Sequence, residues 1–195
     1  MKKIIFGLGT GRCGTMSLSN LLNFQENASF THELESSNIP WITEEKKFNS
    51  VLSKIENRQE QFVGDVGLYY LPYYKQILEI KNSKIVILKR DRESVINSFM
   101  KKTMWMNHWI EHDGREWKLS AWDKCFPKFK TKSKREAVGK YYDLYYEMCS
   151  EIPKERSFWM TTEELNQEEK SLEMLRFCGF KNPKFTLMHK NRGIT

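Results

Sequence analysis

Lys3–Leu8 is a short apolar run that leads directly into Gly9-Thr10-Gly11-Arg12-Cys13-Gly14-Thr15-Met16-Ser17, after which Leu18, Leu21 and Leu22 recur at helical spacing. A buried parallel strand, a glycine-rich turn and a helix in that order restrict the chain more than any other feature. The turn delivers the unpaired N–H groups and the positive dipole end of a helix to a strand's C-terminal edge, where anions settle. Glycines let the backbone close around such an anion in conformations that a side chain forbids. Thr15 and Ser17 add hydroxyl donors and Arg12 a fixed positive charge.

Three chemistries use turns of this kind. A nucleotide-triphosphate loop shares the Gly9/Gly14 gap, but Thr15 stands where that motif needs Lys, and Met16 replaces its Mg-binding hydroxyl. That argues against an ATPase or kinase of the usual sort. Gly9, Gly11 and Gly14 also spell the dinucleotide fingerprint, with acids about twenty residues on at Glu33 and Glu35. A Rossmann-type dinucleotide-binding oxidoreductase is therefore the serious rival. A cysteine-phosphatase loop on Cys13 lacks its arginine, because that position is Ser19.

The rest of the chain alternates strand and helix. Ala28–Thr31, Gln61–Val66, Lys84–Lys89 and Ser157–Met160 read as strands. Glu44–Asn57, Leu71–Ile80, Arg92–Lys101, Arg135–Glu151 and Glu163–Cys178 read as helices. The alternation predicts an α/β fold with a central parallel β-sheet in three layers. At 195 residues the chain is expected to form a single domain over 1–195, large enough to hold a core without disulfides or metal. Between about 102 and 134, four tryptophans stand amid charges, and this stretch reads either as an insertion serving as lid or acceptor wall or as a satellite core under a long loop.

Charge and cysteine usage narrow the partners. The formal charge of +7 favours anionic ligands. The basic run Lys124, Lys128, Lys130, Lys132, Lys134 and Arg135 sits in no recognised nucleic-acid module, so no nucleic-acid partner is expected. The four cysteines are far apart and the chain has no metal-ligand cluster, which fits a reducing, cytoplasmic setting. No stretch is apolar enough to span a membrane. Oligomeric state is not legible.

Arg12-Cys13-Gly14-Thr15-Met16 resembles the 5′-phosphosulfate loop of the sulfotransferases that use 3′-phosphoadenosine 5′-phosphosulfate (PAPS), with Cys13 and Met16 departing from the family's small hydroxyl residues. Arg90-Asp91-Arg92-Glu93-Ser94-Val95-Ile96-Asn97-Ser98 resembles the family's 3′-phosphate site, in which an Arg at a strand end and a Ser eight residues later grip the phosphate. Arg92 replaces that motif's usual proline. The resemblance implies a P-loop NTPase-like sulfotransferase topology, PAPS as co-substrate with PAP as product, and no metal. It implies donor contacts from Gly11, Arg12, Cys13, Gly14, Thr15, Met16, Ser17, Arg90 and Ser98. His189-Lys190-Asn191-Arg192-Gly193 resembles the basic segment that closes over the nucleotide, through Lys190 and Arg192.

For catalysis the resemblance implies Arg12 and a general base. Glu33 stands at the offset from Arg12 used in the tyrosylprotein and glycolipid branches; His32 and Asp65 are the other candidates. The acceptor is expected to be a small molecule, saccharide or lipid. A catalytically silent protein that keeps the nucleotide site is the third reading.

Overall fold

In a computed structural model the described residues are 2–34, 45–102 and 128–187. They form five strands, β1 (Lys3–Leu8), β2 (Ala28–His32), β3 (Phe62–Val66), β4 (Ser83–Lys89) and β5 (Ser157–Thr161), all parallel and ordered β2-β3-β1-β4-β5. The α/β expectation therefore holds. The strands are buried on both sides, as a parallel sheet covered by helices requires: Ile5, Phe6, Leu8, Val63, Val66, Ile85 and Leu88 have no exposed surface.

Among the described residues six α-helices complete the layers: α1 (Thr15–Asn23), α2 (Glu45–Glu56), α3 (Tyr74–Glu79), α4 (Arg92–Lys102), α5 (Lys134–Ser150) and α6 (Glu168–Phe177). The crossover from β1 to β2 runs one way along the sheet, and those into β3, β4 and β5 run the other way. Right-handed connections then put α1 on one face and the later crossovers on the opposite one. The stretch after α6 returns to the side of α1, where the Gln25 side chain donates to Lys184 O at 2.8 Å.

Two helices expected from the sequence are divided in the structure. Leu71–Ile80 is preceded and replaced in its first half by a 3-10 segment, Leu68–Tyr73, and only Tyr74–Glu79 is α-helical. Pro72 lies inside the 3-10 stretch, with no N–H to give an α-turn and a ring that crowds the carbonyl behind it. Glu163–Cys178 breaks at Gln167, which is extended (φ −97°, ψ 115°) between the 3-10 turn Glu164–Asn166 and α6. The break tucks Leu165 into the core beside Gly14, and Ser171 Oγ donates to the Leu165 carbonyl at 2.9 Å.

α4 and α5 are pinned to one another by charge. Arg92 reaches both carboxylate oxygens of Asp143 at 2.8 Å, and Arg135 pairs with Glu93. Gly139 makes this possible, because a Cβ there would stand 2.6 Å from Arg92 Nη2. Arg92 thus serves the α4–α5 contact and adds no cation to the turn after β4. The segments 35–44, 103–127 and 188–195, with the central part of the expected lid and both Lys190 and Arg192, lie outside the described residues.

Candidate functional site

The sheet changes direction at β1, whose neighbours β3 and β4 lead to opposite edges. Open α/β sheets bind ligands in the crevice at the carboxyl ends of the strands at such a point. Four sequence-predicted segments end there: the Gly9–Gly14 turn after β1, His32 and Glu33 at the end of β2, Asp65 in β3 and Arg90 after β4.

The turn is shaped by three left-handed residues, Gly11 (φ 81°), Arg12 (φ 58°) and Gly14 (φ 90°). Gly14 is the N-cap of α1 and brings no side-chain cap, and the first turn holds no acid. A helix end normally finds partners for its first N–H groups. Here none of the described residues supplies a cap, so the amides of Thr15, Met16 and Ser17 are free to meet an anion.

Arg12, Arg90 and Ser98 converge beside this helix end. Arg12 Nε donates to Ser98 Oγ at 3.0 Å across 86 residues of sequence, and Arg90 Nη1 donates to the Arg12 carbonyl at 3.1 Å across 78. Local structure explains the meeting. Asp91 accepts from Ser94 N at 2.8 Å and so starts α4 immediately after Arg90. Ser98 then falls nearly two turns along α4.

The other loop residues divide by burial. Cys13 is fully buried, its thiol pushed up to about 11 chiefly by desolvation, with Thr10 and nearby amides opposing. Its side chain packs under the turn, close to Gly9, where an added Cβ would meet Sγ at 2.4 Å. Met16 is 41% exposed, while Ser17 is buried in the first turn of α1. The buried Thr15 hydroxyl is tied to His32 Nε2 at 2.9 Å.

At the end of β2 the chain takes an unusual path. Glu33 N still donates to Val66 O at 3.0 Å, but Glu33 itself is left-handed (φ 54°). A non-glycine residue held there costs on the order of 1–3 kcal/mol and persists only where its surroundings fix it. The half-buried Glu33 carboxyl is raised from its ordinary value, mainly by desolvation, with the His32 charge opposing and that of Asp65 adding to the rise. Asp65 is fully buried, and its Oδ2 accepts from Leu34 N (3.0 Å), Tyr69 OH (3.0 Å) and Tyr70 OH (2.6 Å).

Sequence reasoning missed the support beneath the turn. Tyr145 OH accepts from Gly9 N at 2.9 Å and lies 3.3 Å from Leu68 O; Tyr141 OH donates to Thr10 O at 2.9 Å. Tyr142 OH and Tyr146 OH donate to Arg90 O and Leu88 O, each at 2.6 Å. Thr162 Oγ1 donates to Cys13 O at 2.7 Å from the end of β5. The repeated Tyr-Tyr pairs of α5 were the available signal, because a buried Tyr in place of Phe calls for a partner for its hydroxyl.

The strand order also separates this site from a Rossmann one. In the dinucleotide fold β2 lies beside β1, so its terminal acid reaches the ribose. Here β3 intervenes, and Glu33 ends a strand about 10 Å from β1. Among the described residues no group of three or more His, Cys, Asp or Glu side chains could hold a metal, and no helix is long and apolar enough to cross a membrane.

No family model matches the chain, and no curated protein matches it in sequence. Solved structures do match in fold. A sulfotransferase from Alicyclobacillus acidocaldarius aligns with 98% of this chain and 86% of its own, at TM-score 0.60 and 16% identity. Mouse sulfotransferase SULT7A1, complexed with PAP, aligns with 94% of this chain but 61% of its own, at TM-score 0.55 and 13% identity. The chain has the sulfotransferase fold.

Proposed function

We propose that the protein is a sulfotransferase that moves a sulfuryl group from PAPS to a hydroxyl or amine of a small-molecule, saccharide or lipid acceptor. The observation that carries this reading is the convergence of Arg12, Arg90 and Ser98 at the uncapped N-terminus of α1. Two guanidiniums from different strand ends, a hydroxyl and a row of free amides suit a ligand with two separate phosphates. Guanidinium is the preferred partner for phosphate because its planar fork matches the oxygens.

The residues divide the work. The α1 amides and Arg12 would hold the 5′-phosphosulfate end, and Arg90 with Ser98 the 3′-phosphate. Thr15 faces the same end, its hydroxyl oriented by His32, so His32 belongs to the donor side. Lys190 and Arg192 are kept as candidate closing cations. When bound, PAPS supplies an activated sulfur whose bond to the bridging phosphate oxygen breaks as the acceptor's oxygen or nitrogen bonds to sulfur. Glu33 takes the acceptor proton, its raised carboxyl being better matched to that task than an ordinary glutamate. Arg12 and the amides stabilise the charge that collects on the departing phosphate. No step calls for a metal.

A thermal-shift panel of PAP, NADH and ATP–Mg, followed by transfer assays with labelled PAPS over an acceptor library, tests this. Stabilisation by PAP and label transfer that requires Arg12 are expected. Stabilisation by NADH alone would overturn the reading in favour of an oxidoreductase. PAP binding without transfer to any acceptor would leave a nucleotide-binding protein without the proposed activity.

A further inference from the structure

Asp65 is a buried acid that the proposed chemistry does not use, and its contacts lead to Glu33. Its carboxylate lies in β3, paired in register with Thr31 of β2 on one side and Phe6 of β1 on the other. One oxygen collects three donors, and no hydrogen-bond partner for Oδ1 is found among the described residues. Such a one-sided arrangement serves the donors, and the donor that matters is the Leu34 amide.

The backbone around that amide shows why. Glu33 N makes the last rung of the β2–β3 ladder, Glu33 turns left-handed, and Leu34 N swings round to Asp65 Oδ2. The turn that carries Glu33 off the sheet is thus closed at its far side by a side chain of the neighbouring strand. Tyr69 and Tyr70 fix that side chain from the 3-10 segment after β3. Tyr70 is held well above the ordinary phenol value by burial and then by the Asp65 charge, so it remains a donor at any working pH.

Resting on the sulfotransferase reading, we infer that Asp65 is the positioning residue of the general base: it clamps the left-handed turn at Glu33 through the Leu34 amide and sets the charge that Glu33 faces. Asp65 therefore leaves the set of candidate proton acceptors and takes a role behind one of them. The charged and titratable groups around Glu33 are few among the described residues. His32 beside it lowers its proton affinity, and Asp65 from β3 raises it. Tyr69 and Tyr70 face Asp65 as neutral donors, and Thr15 from α1 engages His32. Arg58, from the turn between α2 and β3, is spent on Thr31 Oγ1, Ser29 O and Gly64 O.

The test separates this inference from the activity it rests on. Amide exchange in the wild-type protein should show Leu34 protected; exchange at the rate of an open chain overturns the clamp. In protein labelled with ¹³C at glutamate carboxyls, with Glu33→Gln as the assignment control, the Glu33 midpoint should fall in Asp65→Asn. That variant retains an acceptor for Leu34 but loses the charge, so an unmoved midpoint overturns the electrostatic half. Neither readout needs turnover, and both stand if no transfer from PAPS is found. Where turnover is measurable, the acid limb of the kcat profile should move to lower pH in Asp65→Asn. Asp65→Ala should lose about tenfold or more in kcat with little change in PAP affinity. A loss in Asp65→Ala that appears only in PAP affinity overturns the assignment to the base.

Discussion

Arg90 donates from its guanidinium to the main-chain carbonyl of Arg12 at 3.1 Å, so the two cations of the site are mechanically joined. Among the described residues neither forms an ion pair: Arg12 Nε rests on the neutral Ser98 hydroxyl, Glu93 is engaged with Arg92 and Arg135, and Asp91, just before α4, accepts from Ser94 N and meets Arg90 through its charge alone. Two like charges held by neutral acceptors repel, and an anion placed between them relieves that repulsion.

A dianionic or more highly charged ligand should therefore stabilise the protein strongly at low salt. PAP is expected to raise Tm, and the rise should shrink as ionic strength screens the partly exposed guanidiniums. Arg12→Ala should lower kcat on the order of 10²–10³. Arg90→Ala should weaken PAP binding about 10–100-fold, the scale of a charged hydrogen bond. Because Arg90 also anchors the loop backbone, its loss should cost some kcat as well. Isothermal titration with PAP and initial rates with labelled PAPS measure the two effects; equal PAP affinity in wild type and Arg90→Ala contradicts the assignment.

Tyr145 offers a test of the scaffold beneath the turn. Its hydroxyl accepts from Gly9 N and lies against Leu68 O, deep in the core. Tyr145→Phe keeps the ring and leaves a buried amide without its acceptor, a loss of about 1–3 kcal/mol. For a chain of this length that lowers Tm by about 2–4 °C for each kcal/mol. PAP affinity should fall with it, since Gly9 begins the turn proposed to hold the anion. A variant with unchanged Tm would show that the Gly9 amide finds another partner.

How much of this was legible in the sequence follows from which signals are local. The strand–turn–helix unit announces itself through glycine spacing and a leucine face, and β1 and α1 stand where those patterns put them. Arg90 and Ser98 were legible through their resemblance to a family motif rather than from the residues alone, and the structure brings both to Arg12. The tyrosine supports were not, because Tyr141 to Thr10 and Tyr145 to Gly9 are contacts between distant parts of the chain and periodicity records only that the residues are buried. The role of Asp65 was hidden for the same reason. Its identity as an acid is visible, but its three donors are assembled by the neighbouring strand and by a 3-10 segment that Pro72 imposes.

Cys13 makes a sharp contrast with a reactive loop cysteine. A thiol at a helix N-terminus is often acidic and nucleophilic, yet burial pushes this one up to about 11. At pH 8 its thiolate fraction is then on the order of 10⁻³, and Sγ has no solvent access. Iodoacetamide should leave Cys13 unmodified in the folded protein and label it in urea, as read by peptide mass spectrometry. Rapid labelling of the native protein would refute the packed position of the side chain.

Glu33 should couple stability to pH in the opposite sense to most paired acids. Its folded carboxyl is raised, mainly by desolvation, so the folded state holds a proton over a window in which the unfolded chain has lost it. Stability from this group is present below the unfolded value and is lost as pH rises through the folded one. Above that window the charged Glu33 is a burden on the fold, as expected of the general base proposed for it. Glu33→Gln removes the titration, and with it the burden, while keeping the size of the side chain. The variant should gain stability over wild type at pH 8, and the gain should shrink toward pH 4, where both side chains are neutral. Denaturant midpoints at the two pH values measure this. The same variant should lose transfer from PAPS, so one substitution is expected to stabilise the protein and silence it. A Glu33→Gln protein less stable than wild type at pH 8 would mean that the carboxylate is held by a favourable partner, which would contradict the upward shift on which its role as base depends.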